Sequence, residues 1–133
     1  MVWDVTGPWK IHQSPLTTVS VDLKQFIPTT GSMAGFLTGD INGGSASSVT
    51  SGGPTLSSTG VSGAIIGNQF FLSLAWDNGS IGEYNGTFGI PATNTPAEGE
   101  GGPLWGVVTD SQHPENVAAW ISDRAFNGGE FGP

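Results

Sequence analysis

Four large aromatic residues, Trp76, Tyr84, Trp105 and Trp120, stand near Gly82, Gly86 and Gly106 in the second half of the chain. Rings beside residues without side chains mark a cavity wall, where a flat or aliphatic ligand takes up the missing bulk. The plainer alternative is a filled core in which the rings interlock. No other grouping offers bond-making chemistry. His12 and His113 have no partner at metal-ligand spacing, and the absence of Cys removes thiolate, disulfide and Cys-based metal chemistry. No Gly-x-Ser-x-Gly elbow presents a nucleophile. Asp40, Asp77, Glu83 and Asp110 are scattered rather than paired as glycoside hydrolysis needs. Gly43-Gly44 lacks the following Lys and helix of a phosphate loop. The residues therefore imply no metal and no cofactor, and favour binding over catalysis.

The elements that must hold these rings are strands. The chain has 133 residues, enough for one domain spanning 1–133 with a real core. Its 22 Gly and 9 Pro are spread between apolar runs, which means many turns and many short strands. Alternation is clearest over 18–26, with Val19, Val21 and Leu23 on one face, and over 69–77, where Phe70, Leu72, Leu74 and Trp76 share a face. Further strands are predicted over 9–13, 36–41, 61–66, 81–88, 104–109 and 117–126. Gly67-Asn68 and Asn78-Gly79 are two-residue hairpin signals. The Ser, Gly and Thr-rich stretch 42–59 reads as a long mobile loop, 28–35 as a turn region, and 91–103 as a second loop. A turn is predicted over 111–116, a short helical turn near Pro114 to Ala118, and a tail over 127–133. Eight sequential strands with mostly short connections predict an all-β, antiparallel up-and-down barrel, whose closure removes exposed sheet edges.

The formal net charge is -8, and Lys10, Lys24 and Arg124 are the only Lys and Arg residues. Phosphate backbones and anionic membrane surfaces need clustered cations, so neither nucleic acid nor membrane is an expected partner. No stretch approaches the ~20 apolar residues of a membrane helix. The segment Met1-Val2-Trp3-Asp4 does not read as a signal peptide. The compartment stays open.

In this order the motifs resemble the avidin and streptavidin family, within the wider calycin barrels. Gly7-Pro8-Trp9 is similar to that family's opening Gly-Thr-Trp, and Phe36-Leu37-Thr38-Gly39 to its Leu-Thr-Gly strand. Ser73-Leu74-Ala75-Trp76-Asp77-Asn78 resembles its Ala-Trp-x-Asn motif, and Tyr84-Asn85-Gly86-Thr87-Phe88-Gly89 its aromatic-x-Gly-x-aromatic-x-Gly strand. Trp105 and Trp120 fall where the family has its last two pocket tryptophans. The resemblance makes the Leu74 and Trp76 face the lumen. It implies a ligand pocket of Leu74, Trp76, Tyr84, Trp105 and Trp120, with ligand polar groups meeting Gln13, Ser14 or Asp123. It also pairs Trp9 with a basic residue on the last strand, here Arg124, whose guanidinium would lie over the indole as a cation–π contact. The alternation does not decide which of Asp123 and Arg124 faces inward. The chain departs from the family where biotin's ureido ring needs polar partners: Ile11 and Ile41 stand there, and an unpaired buried oxygen costs about 1–3 kcal/mol.

The leading reading is a small-molecule binding protein with an aromatic-lined apolar pocket for an apolar or aromatic ligand other than biotin. A second is a barrel enzyme, a cyclase or isomerase that works by confining an apolar substrate. A third is a surface-recognition module, a lectin or protease inhibitor, using 42–59. Outward-facing Phe71 and Ala75 suggest a homodimer or homotetramer.

Overall fold

Every second residue of 19–23 is buried, and the same period repeats around a closed sheet. The computed structural model describes residues 2–26, 38–89, 102–126 and 128–129, and among them there is no helix. The strands are β1 (Val2–Trp3), β2 (Gly7–Gln13), β3 (Thr17–Phe26), β4 (Thr38–Thr50), β5 (Thr55–Ile66), β6 (Gln69–Trp76), β7 (Ile81–Phe88), β8 (Gly102–Asp110), β9 (His113–Phe126) and β10 (Gly128–Gly129). Strands β2 to β9 form a closed antiparallel barrel in sequence order. The seam is short: Ile11, His12 and Gln13 of β2 pair with Ser122, Ile121 and Trp120 of β9. Beyond it the Asp123 carboxylate accepts the Lys10 backbone N–H at 2.9 Å, and Ser14 N–H donates to the Ala119 carbonyl.

The predicted loop over 42–59 is instead the facing ends of β4 and β5, joined by a turn at 51–54. Ser47, Ser48 and Val49 pair with Ser57, Leu56 and Thr55, while β3 pairs along the other edge of β4. Small polar residues carry these strands because both edges are bonded and Ala46, Ser48 and Leu56 still turn inward. Gly44 permits a close approach: a side chain there would meet the Asp22 carbonyl, and its φ of +108° to +113° with Gly43 suits the irregularity between Leu23 and Gln25. The helical turn predicted near Pro114 is also strand. The β8 pairing jumps from Thr109↔Val117 to Asp110↔His113, so Pro114 sits in a bulge where no ladder bond needs its missing N–H. The 127–133 tail supplies Gly128–Gly129, which pair with β1. The predicted turn at 28–35 lies outside the described residues, as does 91–101; Pro103, placed in that second loop, belongs to β8.

Aromatic rings fill one end of the barrel and run up its axis. Trp3 and Val5 are buried beneath the strands. The Gln25 side chain ties them in, donating to the Trp3 carbonyl at 2.9 Å and accepting Val5 N–H at 2.8 Å. Trp3 packs on Phe88 (5.6 Å between centroids), Phe88 on Phe70 and Phe126, Phe70 on Trp9 and Trp120, and Trp120 on Tyr84 (5.9 Å). Most of these contacts are edge-on or tilted, the geometry ring quadrupoles favour.

Phe126 is fully buried, packed edge-on against Trp9 with ring centroids 4.9 Å apart, so Phe126→Ala should cost about 3–5 kcal/mol in denaturant unfolding. Phe71→Ala on the outer face, where the ring is 40% exposed, should cost under about 1 kcal/mol.

Candidate functional site

The end opposite the ring plug is open. Strands β2, β4, β6 and β8 arrive there and β3, β5, β7 and β9 depart, so the turns at 14–16, 51–54, 77–80 and 111–112 frame its rim. Inside lies a half-open cup of about 630 Å³. Its apolar lining includes Trp76, Val108, Leu56, Ala118 and the Tyr84 ring. Hydroxyl and amide groups dominate the rest, from Gln13, Ser14, Ser48, Thr50, Asn78, Ser80 and Asn116. The expected apolar pocket is therefore a polar cup with an aromatic floor.

Of the predicted residues, Gln13, Ser14, Trp76 and Tyr84 meet in this cup. Leu74 and Trp120 face inward as expected, but they lie in the packed column and do not line the cup. Trp105 faces out. Leu104, Gly106 and Val108 take the inward positions of β8, and Trp105 is 39% exposed with its indole N–H on the Gly89 carbonyl at 2.8 Å. The glycines near these rings do not open a cavity there. A side chain at Gly86 would meet the Trp120 ring at 2.7 Å, so Trp120 already occupies that space.

Asp123 also points out, bonded to Lys10 N–H at the seam. The β9 bulge explains both it and Arg124. Ser122 faces inward, where its hydroxyl accepts Leu104 N–H at 2.9 Å and donates to the Arg124 carbonyl at 2.6 Å. The three residues 122–124 thereby oppose Leu104 alone, and Asp123, Arg124 and Ala125 are all exposed. Arg124 lies over the Phe126 ring at 4.9 Å rather than over Trp9, because Phe126 stands between them. Trp9 is buried and donates its indole N–H to the Val5 carbonyl at 3.0 Å.

Two groups on the floor differ in what they bond. The Tyr84 hydroxyl donates to Gln13 Oε1 at 3.0 Å. Burial pushes that hydroxyl's pKa well above its ordinary value, and the Asp110 carboxylate adds to the rise. Trp76 is only 7% exposed, yet its indole N–H has no protein partner among the described residues. The other four tryptophans donate to Asn68 Oδ1, Val5, Gly89 and Val107. Trp76 Nε1 lies beside Gly82, 3.3 Å from where a side chain would begin. Ser48, Thr50, Asp110 and Asn116 were missed by sequence reasoning. Ser48 and Thr50 lay in the presumed loop, and Asp110 shares the period-two face of Leu104 and Val108 once Trp105 is turned outward.

Among the described residues no three His, Asp or Glu side chains gather at a metal-binding distance. His113 lies 3.7 Å from Glu115 on an exposed stretch, and His12 is exposed on the outer face of β2. No family model matches the chain, and no curated protein is similar enough to match it.

Tyr84 is the only tyrosine, so one phenolate absorbance reports it. A raised folded-state pKa means that above pH 10 the unfolded chain releases this proton before the folded one does. Stability should then be full below pH 10 and fall as pH climbs beyond it, with the phenolate band appearing together with unfolding. A phenolate band at pH 10 in the folded protein would contradict this.

Proposed function

We propose that this chain is a small-molecule binding protein that receives its ligand in the open end of the barrel. The single observation that carries the reading is the Trp76 indole: the residue is only 7% exposed, its N–H has no protein partner among the described residues, and it lines a cup that four turns leave accessible. A buried polar group without a partner is costly unless water or a ligand reaches it. The mixed lining fits a compact ligand whose flat or aliphatic body rests on Trp76 and Tyr84 and whose edge carries hydrogen-bonding groups. Gln13, Ser14, Asn78 and Ser80 stand at the height where that edge would lie.

The closed eight-stranded meander supports the avidin-like reading in architecture. The lumen argues against that family's ligand: Ile11 and Ile41 are both buried inside the barrel, where neither can bond a ureido group. Calorimetry with biotin should show no sub-micromolar binding.

Self-association belongs to the same reading. Trp105 pairs with Ile121 across β8 and β9, and Val107 and Val117 extend the same outer face, all four at least 39% exposed. Phe71 lies two strands away on that face. Light scattering should give a mass above the 13.6 kDa monomer, and Ile121→Lys should lower it to the monomer's.

Binding in the cup has a direct readout. Native mass spectrometry of the chain after exposure to cell extract should show a small-molecule adduct. Trp76→Phe should weaken that adduct about tenfold, as loss of one good hydrogen bond implies, with the β spectrum unchanged. Retention of the full adduct by Trp76→Phe would move the site elsewhere.

A further inference from the structure

We propose that the cup selects a small organic cation, an amine or quaternary ammonium on a compact apolar body, with Asp110 as its counter-ion. This rests on the reading of the cup as a ligand site and adds the sign of the ligand's charge.

Among the described residues Asp110 is the one carboxylate that lines the cup, and no Lys or Arg lines it. Its position pairs with Gly82, whose missing side chain lets the Tyr84 ring and the Trp76 indole lie close against the backbone beside it. That is the same glycine beside which Trp76 Nε1 lies. One Asp110 oxygen accepts Gln112 N–H at 2.9 Å. No cationic side chain pairs with Asp110 among the described residues. Lys10 and Lys24 are exposed next to inward-facing neighbours, and Arg124 sits over Phe126 at the plugged end. The chain thus keeps its few cations away from a cup that holds an unmatched carboxylate, under a net charge of -8.

The physics favours one sign. A half-enclosed cleft with low-dielectric walls focuses the field of the charge within it and of the acidic surface around it. A cation gains from both, an anion loses by both, and a neutral ligand keeps only hydrogen bonds and burial. The ring faces of Trp76 and Tyr84 add a second attraction that is specific to cations. A bare carboxylate without those rings would draw any metal ion equally well; the aromatic floor is what suits an organic body.

Three probes of one shape separate these cases: benzylammonium, benzyl alcohol and benzoate, each titrated against the Trp76 indole N–H resonance. Benzylammonium should bind about tenfold more tightly than benzyl alcohol, as expected for one partly screened charge pair, with benzoate weakest. The preference should shrink as salt is added. Asp110→Asn retains an oxygen for Gln112 N–H and should bring benzylammonium and benzyl alcohol to within about twofold of each other. Asp77→Asn removes an exposed carboxylate from the adjacent rim turn and should leave the preference in place. Equal binding of benzylammonium and benzyl alcohol by the unsubstituted chain, or tighter binding of benzoate, overturns the charge assignment and leaves the cup standing. Equal loss of preference in both variants overturns the role of Asp110 in favour of general acidity. If no probe shifts Trp76 at millimolar concentration, the cup reading falls and takes this proposal with it.

Discussion

The axial column of rings from Trp3 through Phe88, Phe70 and Trp120 to Tyr84 sets what the rest of the barrel can do. Eight strands enclose roughly the volume that side chains can fill, so whatever the rings occupy is lost to a ligand. The column starts at the N-terminal plug and stops at Tyr84. The open cup lies above it, between the turns of the opposite end. The glycines on β7 serve that packing. Gly86 makes room for Trp120, and Gly82 makes room for the Tyr84 ring and the Trp76 indole at the point where packing ends and the cup begins.

Where the column stops, the composition of the strands changes. Below Tyr84 the inward positions are mostly apolar, Ile11, Val21, Ile41, Ile65 and Phe70 among them, and the hydroxyl of inward Ser122 is fully bonded. Above it they are Gln13, Thr17, Ser48, Thr50 and Asp110. A wall facing a wet cup does not require apolar side chains, and the ladder bonds of β3, β4 and β5 hold the strands whatever the side chains are. The seam is built on the same economy. Three residue pairs close β2 on β9, and the Asp123 carboxylate and the Ser122 hydroxyl take over backbone groups that the bulge would leave unpaired.

This division also explains what could be read from the residues alone. Strands β3 and β6 were legible because apolar positions alternate along one face of each, and the hairpins at Gly67 and Gly79 because both take positive φ. The stretch 42–59 was not, since Ser, Thr and Gly signal a loop unless the wall is known to be wet. Facing was the other limit. A period of two says which residues share a side but not which side is the lumen. Tyr84 and Trp76 were placed correctly because long alternating runs support them. Trp105 was placed on the wrong face because the glycine beside it, Gly106, looked like cavity space. Gly106 is in fact needed for backbone approach, since a side chain there would meet the Asn85 carbonyl. The cup's polar residues, spread over turns from four hairpins, share no local pattern at all.

Tyr84 and Trp76 close the column side by side and end it differently. Tyr84 turns its hydroxyl to Gln13, which fixes the amide orientation and leaves Gln13 Nε2 as the half of that side chain free to donate. Trp76 keeps its donor unspent. An unpaired N–H sealed in a core would cost about 1–3 kcal/mol, but in a cup that solvent enters it costs far less. A hydrogen bond a ligand makes to it replaces one to water, so it adds only about 1 kcal/mol and does so for any acceptor. Discrimination must then come from terms that water cannot match: the shape of the ring floor, and the sign of the charge that faces it across Gly82.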